Sequence, residues 1–83
     1  MRYSFTKHAR DELARRGIQL DWIESAVERP IYVEPDPEDA TLERRYARIA
    51  AHGNRVLRVV CRPQADVVEI ITVFFDRNAR RRL

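Results

Sequence analysis

Between Arg55 and Phe75 the chain carries two runs rich in Val, Ile and Phe. They are Arg55-Val-Leu-Arg-Val-Val-Cys-Arg62 and Val67-Val-Glu-Ile-Ile-Thr-Val-Phe-Phe75, separated by Pro63-Gln-Ala-Asp66. β-Branched and aromatic side chains suit a pleated surface, and Pro and Asp supply turn chemistry, so the stretch predicts a β-hairpin. A loop of two or four residues sets Arg58 opposite Ile71. Alternation then puts Leu57, Val59, Cys61, Val68, Ile70, Thr72 and Phe74 on one nearly dry face. The other face collects Val56, Arg58, Val60, Arg62, Val67, Glu69, Ile71, Val73 and Phe75, apolar ground with two arginines and a glutamate. The dry face requires helices over it. The mixed face suggests contact with another molecule, or a tail that folds back over the sheet.

The rest of the chain supplies that cover. Arg2 to Phe5 reads as a short first strand, and Thr6 as the N-cap of a helix over Lys7 to Arg16 that Gly17 ends. Ala9, Leu13 and Ala14 make a thin apolar stripe, with His8, Asp11, Glu12, Arg15 and Arg16 around the polar side. A second helix starts either with an Ile18/Ile23 staple around Gln19 or with an Asp21-x-x-Glu24 box. It carries Trp22, Ile23, Ala26 and Val27 on its apolar face, and Pro30 stops it. Ile31 to Glu34 is a short strand, and Pro35-Asp-Pro-Glu-Asp39 an exposed acidic loop, either a solvated turn or a phosphate mimic.

Leu42 to Ile49 predicts a further strand. A three-residue turn at His52-Gly53-Asn54 places Ala47 and Ile49 on the dry face and Arg44, Tyr46 and Arg48 on the mixed one. A two-residue Gly53-Asn54 turn would reverse this and press Arg44 and Arg48 against the core, so the first is preferred. Residues 76–83 form a basic tail with no predicted element. The expected fold is α+β and two-layer: a short N-terminal strand and two helices packed on a three- to four-stranded antiparallel sheet.

At 83 residues, 45% hydrophobic and 35% charged, the chain is long enough for one globular core. Its one cysteine, Cys61, cannot close an internal disulfide and reads as a small buried side chain in a reducing compartment. With no leader-like segment and no apolar run of spanning length, a cytoplasmic protein without a membrane partner is expected. The net charge is +3, but removing Arg77, Arg80, Arg81 and Arg82 leaves −1, so the overall field says little about partners. Lys7 is the only lysine. Arginine is the better phosphate fork, and an Arg-rich genome explains the same bias.

Phe5-Thr-Lys-His8-Ala9-Arg10, Arg15-Arg16-Gly17-Ile18-Gln-Leu-Asp-Trp-Ile23, Arg29-Pro30, Leu57-Arg-Val-Val60 and Ile70-Ile-Thr-Val73 together resemble the small prokaryotic proteins grouped as domain of unknown function 4258. The group's His-Ala, Arg-Gly-Ile and Ile-Thr elements correspond to His8-Ala9, Arg16-Gly17-Ile18 and Ile71-Thr72. More distantly the chain is similar to BrnT and RelE-type toxins. That similarity implies a compact sheet with helices that cleaves RNA without metal and is silenced by a cognate antitoxin.

Metal-independent RNA cleavage needs a base for the 2′-hydroxyl, a cation for the phosphorane and a proton for the leaving oxygen. His8, at the first turn of helix one, is the acid/base candidate, or else a bridge from helix to sheet. Tyr46, Arg48 and Arg58 complete the candidate catalytic set, with Arg44, Arg62 and Arg77 as RNA-binding residues. The alternative for the sheet arginines is a cross-strand lattice closed by Glu69. His8, His52 and Cys61 are too scattered for a metal site, and no cofactor is expected. The leading expectation is a toxin-like component of a toxin–antitoxin module acting on RNA. Its rivals are a non-catalytic RNA- or protein-binding module, and a homodimer joined through an exposed edge or the Val73/Phe75 face.

Overall fold

The computed structural model describes residues 2–83, with the side chains of 80–82 outside that description. Its elements are β1 (Arg2–Phe5), α1 (Lys7–Arg16), α2 (Leu20–Glu28), β2 (Tyr32–Pro35), β3 (Glu43–Ile49), a 3-10 turn (Ala50–His52), β4 (Arg55–Pro63), β5 (Val67–Phe75) and α3 (Arg77–Arg82). Helix α1 has the expected ends. Thr6 Oγ1 accepts from the Ala9 amide at 3.0 Å and donates to the Ile71 carbonyl at 3.0 Å, so one hydroxyl caps the helix and ties it to β5. Gly17 closes it at φ 65°, where its amide donates to the Leu13 carbonyl. A Cβ there would meet no atom within 4 Å, so the left-handed backbone alone selects glycine.

The sheet has five strands in the order β1-β5-β4-β3-β2, one more than the largest expected number. It is also mixed, because β1 runs parallel to β5, with Arg2 beside Val67 and Phe5 beside Ile70. The reason is local. Only Thr6 separates β1 from α1, and α1 packs on β5, which brings β1 alongside that strand.

The central hairpin corrects the predicted alternation. Near the turn, Arg62 pairs with Glu69 and Cys61 with Ile70, but Val60 pairs with Thr72 and Arg58 with Phe74. Ile71 is an extra residue, a β-bulge, and every side chain after it changes face. Thr72 and Phe74 therefore leave the dry face, and Val73 and Phe75 join it. Val73 is fully buried and Phe75 packs against the core, so neither offers the dimer face expected of them. The β3–β4 connection spans 50–54 rather than three residues. Its parity is unchanged, and Ala47 and Ile49 reach the core as expected while Tyr46 faces away.

The main core lies between the two long helices and the sheet: Ala9, Ile18, Ile23, Ala26 and Val27 meet Leu57, Val59, Cys61, Val68, Ile70 and Val73. Burial pushes the Cys61 thiol up to about 11, so it stays protonated and unreactive. Glu12, expected on the polar side of α1, is instead buried and held by Arg15 and Arg16. The tail is not featureless. Asp76 caps α3 by accepting from the Asn78 and Ala79 amides, and Ala79 packs against Tyr46 and Val56. The mixed face is thus partly covered by the chain's own tail. Among the described residues no helix is long and apolar enough to cross a membrane.

Candidate functional site

Pairing across β2, β3, β4 and β5 arranges the mixed face in rows. One row runs Tyr32, Tyr46, Arg58, Phe74, and the next Glu34, Arg44, Val60, Thr72. The arginines of these rows are not free. Arg44 Nε lies 3.3 Å from Asp36 and its Nη1 3.9 Å from Glu34. Arg62 pairs with Glu69 and reaches Asp39 at 3.9 Å. Arg58 is bound to Asp76 and lies over Phe74 at 4.8 Å and Tyr46 at 5.7 Å. Its side chain is only 17% exposed, and its Nε is buried without a partner among the described residues. Arg58 is therefore a largely buried cation already paired with Asp76.

The acidic loop supplies much of this neutralisation. Asp36 accepts from the Glu38 and Asp39 amides and from Arg44, and the Glu38 amide contributes most to holding its carboxyl below the usual range. Asp39 is lowered by the Thr41 hydroxyl first, then by the Thr41 amide and Arg62. The loop folds onto the sheet, where Asp36 meets Arg44 and Asp39 approaches Arg62. Tyr46 donates its hydroxyl to Glu34 at 2.5 Å, and burial, then that bond, raises its pKa. The phenol is committed to a carboxylate.

His8 is exposed, with Nε2 3.2 Å from Thr72 Oγ1. Thr72 lies two strands from Arg44 in its row, roughly 10 Å at normal strand spacing. The fold brings Tyr46 and Arg58 together, and His8 meets the sheet at Thr72 on β5, one strand from Arg58 and two from Tyr46.

The far end of the sheet differs. Arg48 and Arg55 stand beside the β3–β4 turn, and Arg77 begins α3, next to Asp76, whose amide donates to the Val56 carbonyl at 2.9 Å. Arg48 donates to the Leu83 carbonyl at 2.7 Å and the Asn54 carbonyl at 3.4 Å. Arg55 lies 4.5 Å over the Phe75 ring, its Nη1 3.1 Å from His52 Nε2. All three arginines are exposed, and among the described residues none pairs with an Asp or Glu side chain, Arg48 being held instead by the Leu83 main-chain oxygen. Arg2, Arg10 and Arg29, likewise without such a pairing, are spread over β1, α1 and the end of α2.

Of this group the sequence singled out Arg48 and Arg77 but not Arg55 or the rings beside it. Arg55, immediately after the turn and next to His52, was a usable signal; the bulge hid Phe75 by assigning it to the wrong face.

Neither the curated proteins nor the solved structures include a match to this chain. A family model does match, over residues 5–75, which span β1's last residue to the end of β5 and so take in both long helices and the whole hairpin. The chain belongs to the family described as Domain of unknown function (DUF4258).

Proposed function

We propose that this protein is a toxin-like RNA-binding module that holds an RNA backbone at the sheet end carrying Arg48, Arg55 and Arg77. One observation carries the reading. The arginines at the other end of the mixed face are closed by Asp and Glu side chains, whereas among the described residues these three, at one end of the sheet, pair with no Asp or Glu side chain. Exposed guanidinium groups without counter-charges release bound counterions when they meet phosphates, and affinity then falls steeply with salt. Arg80, Arg81 and Arg82 follow Arg77 in the sequence and add charge there.

Anisotropy of a dye-labelled single-stranded RNA, followed across a salt series, tests the proposal. Arg48→Gln and Arg77→Gln are each expected to weaken binding and lower the salt slope by about one. Arg62→Gln is expected to leave the slope unchanged, since that guanidinium already has Glu69 and Asp39. Dominance of Arg62 over Arg48 and Arg77 would move the interface to the paired end of the sheet.

A second reading, an endoribonuclease of a toxin–antitoxin module, is favoured by His8, which is exposed and carries no ion pair among the described residues. On this reading His8→Ala keeps the wild-type melting transition and loses RNA scission and growth inhibition in a bacterial host. Retained scission would remove His8 from any site. Relief of inhibition by the product of an adjacent reading frame would identify the antitoxin.

A further inference from the structure

We infer that Trp22, His52, Phe75 and Arg55 form a stacking site for an unpaired base, so that the RNA held at this end of the sheet is single-stranded. The inference rests on the RNA reading above and adds the class of RNA. Four separate segments converge on the cluster: the first turn of α2, the 3-10 turn, the start of β4 and the end of β5. His52 stacks on Phe75 with centroids 4.7 Å apart and planes 25° apart. Trp22 lies 5.4 Å from His52 and meets Phe75 edge-on at 6.1 Å. The three rings are only half-buried, and the Arg55 guanidinium beside them is exposed.

The contact between Arg55 and His52 fixes the chemistry of the pair. A guanidinium has only donors, so His52 Nε2 is the acceptor of this contact. His52 brings no negative charge to this contact and leaves the charge of Arg55 uncompensated. Arg55 therefore combines a π-faced surface, backed by Phe75, with a full positive charge.

Bases stack on aromatic rings and on guanidinium groups, and their phosphates seek the same cations. A duplex keeps its bases stacked on one another and has none to offer. Asn54 links the 3-10 turn to Arg55, and Asp76 links Phe75 to Arg77, so the stacking cluster, on the helix-covered face, shares one end of the sheet with Arg48 and Arg77, and a strand held by both passes round that end.

Trp22 is the only tryptophan, so its emission reports on the cluster directly. The titrants are a single-stranded RNA of roughly ten nucleotides, a duplex of the same length, and inorganic polyphosphate as a probe with charge but no bases. Binding is followed separately by anisotropy of the labelled strand. The single strand is expected to quench Trp22 over the concentrations at which it binds. Polyphosphate should compete for the protein without quenching, and the duplex should bind more weakly. Arg55→Lys keeps the charge and removes the guanidinium plane. It should keep the wild-type melting temperature and salt slope but lose about tenfold or more in single-strand affinity.

Single-strand binding with unchanged Trp22 emission, or duplex binding of equal strength, overturns base stacking and leaves the RNA reading standing. Full affinity in Arg55→Lys also overturns it. No binding of any RNA by anisotropy overturns both.

Discussion

Val59→Asp and Val73→Asp proteins are each expected to lose their cooperative thermal transition at room temperature and above, while Thr72→Asp keeps one. Val59 and Val73 are fully buried and face each other across β4 and β5. A carboxylate placed there, without a partner, costs several kcal/mol against a total stability of about 5–15 kcal/mol for a domain of this kind. Thr72 is only half-buried and contacts His8. Uninterrupted alternation along β5 would demand the opposite order, with Thr72 inside and Val73 outside. Circular dichroism melts of the three variants therefore test the position of the bulge at Ile71 as well as the core. A cooperative melt for Val73→Asp beside a collapsed Thr72→Asp would put the bulge elsewhere.

Asp76→Ala is expected to destabilise the protein by about 3–5 kcal/mol, read by urea denaturation, because it strands the Arg58 guanidinium in a largely buried setting. It also removes the cap of α3, a smaller loss. Burial by itself would raise the Asp76 carboxyl, but the Ala79 amide and then Arg58 outweigh it and hold the pKa below the ordinary 3.8. The sign follows from linkage. The group's contribution is present above that ordinary value and is lost as pH falls through the lowered folded one. Wild type should therefore lose stability on acidification in this range, and Asp76→Ala should lose less. Combining Asp76→Ala with Arg58→Met, which removes both charges, should recover part of the loss. A change of less than about 1 kcal/mol in Asp76→Ala would mean that the pair is solvated and does not hold α3.

Elements defined by short-range chemistry were legible in the sequence. Thr6 and Gly17 set the ends of α1, and the parity of the β3–β4 turn put Ala47 and Ile49 inside and Arg44 and Arg48 out. The possibility that a tail folds back on the mixed face was also visible, in the excess of apolar residues there. What escaped depends on non-local pairing. A single extra residue in β5 leaves no composition signal, since Ile71, Val73 and Phe75 all suit either face. The parallel partner of β1 lies at the other end of the chain. The candidate site suffered in the same way: Arg44, Arg58 and Arg62 alternate correctly onto one face, but nothing local to them shows that Asp36, Asp39 and Asp76 fold back to neutralise them.

The pairing of β1 with β5 also has a consequence in time. Arg2 lies beside Val67, so the first strand made waits for about 65 further residues before its neighbour exists. At about 5–20 residues per second that delay lasts several seconds, and such distant pairing slows folding after release as well. During this interval α1 has no floor, because β5 is the strand it packs on most. The apolar stripe of α2 can be covered once β3 and β4 have emerged, but that of α1 stays exposed until β5, the last long strand, is made.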